Sequence, residues 1–146
     1  MDACGPIVER WFARTAEAYP ALTTQFLSAE PDRFRNPVGH ALRENLGALT
    51  GELFGAMDAG KIAAALDGIL RIRAVQDFTP SQAVGFMFLL KPIVRELAAG
   101  DDPSALERRI DQLALAAFDV YMQCREQLSE IRVNEVKRAL QFRAGP

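Results

Sequence analysis

An all-α bundle of five or six helices, closed by one long C-terminal helix, is the fold class that this sequence predicts. Three observations carry that expectation. Asn36-Pro37, Thr79-Pro80 and Asp102-Pro103 each set a capping residue before a proline, where a missing N–H costs nothing. Apolar residues recur at helical spacing, most cleanly at Leu106, Ile110, Leu113, Ala117, Val120 and Cys124. No stretch alternates polar and apolar residues with β-branched enrichment between turn signals, so no sheet is expected.

The first helix is expected from Pro6 to Ser28, with Val8, Phe12, Thr15, Tyr19, Leu22 and Phe26 along one seam and Trp11 widening it. Pro20 should bend or break it. After a loop at residues 29–35, a second helix should run from Pro37 to about Met57, with Val38, Leu42, Leu46, Leu49, Leu53 and Met57 on its core face. Gly47, Gly51 and Gly55 form an i, i+4 row in it. Each glycine costs about 0.8–1 kcal/mol relative to alanine, so the row is expected to serve a close helix crossing.

A third helix is expected from Gly60 to Gln76, on Ile62, Leu66, Ile69, Leu70 and Ile72. Thr79-Pro80-Ser81-Gln82 then begins a fourth helix with a capping box. From Ala83 to Leu90 no side chain is polar, and a helix apolar all round belongs in a protein interior. The run is too short for the roughly 20 apolar residues that span a bilayer. Pro80–Ala99 is therefore expected as one central helix, kinked near Pro92, with at least one of Phe88 and Leu89 facing the core.

From Pro103 to Phe142 there is no proline or glycine. A continuous helix of that length would be about 60 Å long, against a domain diameter near 35–40 Å. Its end either folds back or projects, and Leu128, Ile131, Val136 and Leu140 would line a projecting end.

The 146 residues are read as one domain, with 126–146 as a projecting or dimerising helix end. A formal charge of −2 gives no reason to expect nucleic acid or an anionic membrane as partner. Cys4 and Cys124 form no CxxC pair and read as reduced thiols. Glu9, Arg10, Arg14 and Glu17 interrupt the N-terminal region, so no signal peptide or anchor is expected and a cytoplasmic location follows.

Chemistry-bearing patterns are sparse. His40 is the only histidine, with no nucleophile elbow, phosphate loop or clustered carboxylates to accompany it. No catalytic residue, metal site or cofactor is expected. Arg73, Gln76 and Asp77 end the third helix with polar side chains beside an apolar neighbour, and Arg73 and Asp77 are four apart. With Gln82 and His40 they form the candidate polar network or ligand-pocket end. Val8, Phe12, Tyr19, Leu128, Ile131, Val136 and Leu140 are the candidate self-association residues, and a two-fold dimer is the commonest way to cover such an edge.

Three strings in order, Asp32-Arg33-Phe34-Arg35-Asn36-Pro37-Val38-Gly39, Arg71-Ile72-Arg73-Ala74-Val75-Gln76-Asp77-Phe78 and Pro80-Ser81-Gln82-Ala83-Val84, resemble the N-terminal domain of the RsbT co-antagonist RsbRD family. Trp11 and Tyr19-Pro20 add to a resemblance that covers nearly the whole chain. It implies a bacterial sensory or regulatory input domain of the stressosome type. The implied fold is globin-like without haem, dimeric, passing its signal through the final helix to a STAS domain. This chain ends at Pro146 with no such output domain, so a stand-alone sensor acting through a partner protein is expected. One alternative is a carrier of haem or a small apolar ligand, against which the early position of His40 argues for haem. Another is an accessory or assembly subunit of a redox enzyme.

Overall fold

The computed structural model describes residues 4–18 and 35–144. Among them are six α-helices and one 3-10 turn, and no strand. Helix α1 spans Cys4–Ala16, α2 Pro37–Leu53, α3 Ala59–Val75, α4 Pro80–Val84, α5 Leu90–Leu97 and α6 Pro103–Ala144, with the 3-10 turn at Gly85–Met87. The chain is all-α with a long C-terminal helix. Tyr19, Pro20, Leu22 and Phe26 lie outside the described residues, and α1 ends before them at Ala16.

The caps form as their residue types require. Asn36 is itself buried, and its side chain accepts from the Gly39 N–H at 3.0 Å. A Cβ on Gly39 would lie 2.3 Å from that amide, so the Asn-Pro-x-Gly string joins the cap to the space it occupies. Asp58 caps α3 through Lys61 N–H, and Thr79 with Gln82 closes a capping box on α4. Asp102 accepts from Ser104 N–H at the start of α6.

The core gathers Ile7, Trp11 and Phe12 of α1, Leu42, Leu46, Leu49 and Leu53 of α2, and Ile62, Leu66, Ile69 and Leu70 of α3. Leu106, Ile110, Leu113, Ala117, Val120, Tyr121 and Cys124 of α6 close it. Helix α6 packs on α3, α4 and α5, while α1 packs on α2 and α5.

Three expectations are corrected. The segment from Pro80 to Ala99 is not one central helix but α4, a 3-10 turn and α5. The reason is tertiary: Arg73 Nη1 donates to the carbonyls of Gln82 and Ala83, and Trp11 Nε1 donates to that of Phe86 at 2.7 Å. Donors from α3 and α1 thus reach the carbonyls that a continuous helix would occupy with its own N–H groups. As a result Phe86, Met87 and Leu90 are buried, whereas Phe88 is 49% exposed and Leu89 half-buried.

The α2 glycines do not make a close crossing. An added Cβ at Gly47 or Gly51 meets nothing within 4 Å, and Gly55 lies past the end of the helix. The tight approach between α2 and α3 is instead at Gly68, where a Cβ would stand 2.4 Å from Asn45 Nδ2. Lastly, Phe12 is taken up by the chain's own core. It is 2% exposed, with the Arg43 guanidinium 4.2 Å above its ring, and Val8 packs against the same core.

Candidate functional site

Polar residues of α3 meet its neighbours at one junction. Helix α3 ends in a Schellman motif: Phe78 N–H reaches Arg73 O at 3.2 Å and Asp77 N–H reaches Ala74 O at 3.3 Å. Asp77 takes the left-handed position with φ of 57°, which aspartate adopts more readily than most residues. Its carboxylate is exposed and turns to α6, meeting Arg125 Nη1 at 3.1 Å and Arg132 Nη2 at 3.9 Å. Arg125 also donates to Ala74 O. The Tyr121 hydroxyl donates to Phe78 O.

Arg73 is buried beneath this turn. Its guanidinium lies 5.1 Å from the Phe78 ring and 5.0 Å from the Phe86 ring, and Phe86 stacks on Trp11 at 5.9 Å. A buried cation held between aromatic faces and carbonyl oxygens binds α3, α4 and the 3-10 turn together. The structure therefore brings together Arg73, the Gln82 backbone and, one turn outward, Asp77. Gln76 is exposed at the α3 C-cap, the Gln82 side chain serves Thr79 N–H, and His40 stands half-buried in the first turn of α2.

A second feature lies along α6. Every described side chain from Ser129 to Arg143 is exposed, so the helix projects about 21 Å past Ser129. Between its root and the end of α3 runs a groove of about 470 Å³. Ala74, Val75, Cys124, Leu128 and Ile131 supply its apolar lining. Arg71, Gln127, Glu130 and Asn134 form the polar rim, with Arg71 Nη1 on Gln127 Oε1 at 3.0 Å and Nη2 on Asp67 Oδ1 at 2.8 Å. At the groove floor, burial pushes the Cys124 thiol up from its ordinary range, with Arg71 opposing and Asp67 assisting.

The four residues grouped by sequence at the helix end belong to two faces. At about 100° per residue, Leu128 and Ile131 continue the core face of Cys124 and so line the groove. Val136 and Leu140 lie on the outer side, among exposed residues that include Leu115, Phe118, Met122 and Val133. Exposure of Leu115, Phe118 and Met122 was not anticipated, although their 3, 4 spacing opposite the core stripe is written in the sequence.

Among the described residues no three His, Cys, Asp or Glu side chains converge as a metal site, and no helix is long and apolar enough to cross a membrane. Fold and site together define a helical module whose distinctive surface is one projecting, doubly apolar helix. The family model for the RsbT co-antagonist protein rsbRD N-terminal domain matches residues 5–136, and the chain belongs to that family. No curated protein and no solved structure matches it.

Proposed function

We propose that this protein is a non-catalytic regulatory domain of the stressosome-sensor type that acts by engaging protein partners through the projecting end of α6. One observation carries the reading: Ile131, Val133, Val136, Leu140 and Phe142 are all at least 49% exposed on a helix that has left its own core. Isolated apolar residues on a surface are ordinary, but an apolar, bundle-free helix end of this length is a recognised mark of association. Membership of the RsbRD N-terminal family supports a sensory role. The junction at Arg73, Asp77 and Arg125 supports a path by which changes in the α3–α4 turn reach the root of that helix. A cytoplasmic location and a homodimer belong to the same proposal.

A photo-crosslinking residue placed at Ile131 and activated in living cells tests it. An adduct of any partner chain, identical or different, supports the reading. Absence of every adduct at Ile131, Val136 and Phe142 would overturn it.

A further inference from the structure

Resting on that reading, we infer that the groove at the root of the α6 projection takes one amphipathic helix of a different protein, basic along one flank and acidic along the other. The groove, of about 470 Å³, exists because α3 stops at Val75 while the stripe that includes Cys124 runs on through Leu128 and Ile131. Val75 and Ile131 both line it and are 62% and 54% exposed. From Cys124 to Asn134 it follows α6 for about 15 Å, the length of roughly ten helical residues. An extended segment would find no strand edge there to pair its backbone with. A helix closes its own hydrogen bonds and lays only an apolar face on the floor.

Charge specifies what flanks that face. Arg71 lines the groove but is occupied by Asp67 and Gln127. Glu130 lines it too and has no ion-pair partner among the described residues, so this rim offers an unmatched carboxylate. On the other side of the Leu128–Ile131 stripe, Arg125 and Arg132 share the single carboxylate of Asp77, which leaves a positive surplus. A docked helix therefore meets Glu130 with a basic flank and the arginine pair with an acidic one. Both rims are exposed, so these contacts choose the partner while the apolar floor supplies most of the affinity.

A second copy of this chain does not fit that description. Its described helix end clear of the bundle is that of α6, where Val133, Val136 and Leu140 form an exposed apolar stripe. At about 100° per residue, Arg132 and Arg143 lie along one flank of that stripe and Lys137 along the other. Neither flank carries an acidic residue from 132 to 143. Such a helix would satisfy Glu130 but set cation against cation at Arg125 and Arg132. The occupant is thus a heterologous helix, and its contact with both Val75 and Ile131 ties the end of α3 to the projection.

The test uses synthetic peptides of about 12 residues, each held helical by a hydrocarbon bridge on its outer face and carrying the same leucine stripe. One has lysines on one flank and glutamates on the other, a second has lysines on both, and a third glutamates on both. The mixed peptide meets both rims whichever way it points, because reversing it also exchanges the choice of flank. Amide NMR shifts at Val75, Leu128 and Ile131 of the full chain should report one orientation-matched mixed peptide, of the two possible flank orders, binding at least about fivefold tighter than either single-charge peptide. Glu130→Lys should transfer the preference to the all-glutamate peptide, and Ile131→Ser should weaken all of them. Equal affinities, a preference that Glu130→Lys leaves in place, or no shift at those amides up to about 1 mM overturns the proposal. So does binding that occurs only as the peptide splits a dimer of this chain in light scattering, which would give the groove to a second copy. Crosslinked adducts at Val136 and Phe142 in cells would then still support the interaction reading, so the two failures are separable.

Discussion

Asp77 Oδ1 receives Arg125 Nη1 at 3.1 Å from a backbone held left-handed, so the residue that stops α3 also ties it to the root of the α6 projection. The two roles separate on substitution. Asp77→Gly removes the conformational cost but loses an exposed ion pair worth about 0–1 kcal/mol, so stability should change by less than about 1 kcal/mol. Asp77→Ala keeps the left-handed cost, about 1–2 kcal/mol, and loses the pair, so it should be the less stable variant in urea. Equal stabilities would show that the turn geometry contributes nothing.

The break after α4 predicts opposite tolerances two residues apart. Phe86→Ala removes a ring buried against Trp11 and Arg73 and should cost about 3–5 kcal/mol. Phe88→Ala trims a half-exposed ring near Lys91 and should cost under about 1 kcal/mol. Denaturant midpoints compare them directly, and a continuous buried helix would make both costly.

Open space around Gly51 makes it a stabilising site. Gly51→Ala should add about 0.8–1 kcal/mol and raise Tm by roughly 2–4 °C, since the helix is kept and nothing is displaced. Gly68→Ala should not, because its methyl group meets the Asn45 amide. A gain at Gly68 equal to that at Gly51 would show that Asn45 moves aside freely.

Burial raises the Cys124 thiol, so the folded chain keeps a proton that the unfolded chain releases from about pH 8.5. This contribution is complete below that pH and is lost as pH rises through the higher folded-state value. Stability between pH 8 and 10 should therefore fall more steeply for the native chain than for Cys124→Ala. Parallel profiles in urea would show that the thiol titrates alike in both states.

Much of the fold was legible because it rests on local chemistry. The Asn36, Thr79 and Asp102 caps and the core stripe of α6 from Leu106 to Cys124 act within a turn or two, and they stand where the sequence put them. The resemblance to the RsbRD N-terminal family was legible as well, because ordered strings carried it. Tyr19 lies outside the described residues, and the interaction roles of Leu128, Ile131, Val136 and Leu140 await the experiments above.

What the sequence by itself determined was the all-α class and the starts of α2, α4 and α6, since capping, proline geometry and apolar periodicity are properties of neighbours in the chain. Only the tertiary structure decided where the apolar run from Ala83 to Leu90 breaks, because the donors that reach its carbonyls, Trp11 and Arg73, come from other helices. It also decided that Phe12 is core, that Gly68 rather than Gly51 is the tight contact, and that α6 projects. Each depends on which surfaces remain after the bundle closes: an apolar residue records a need for burial, while packing alone assigns the partner that meets it.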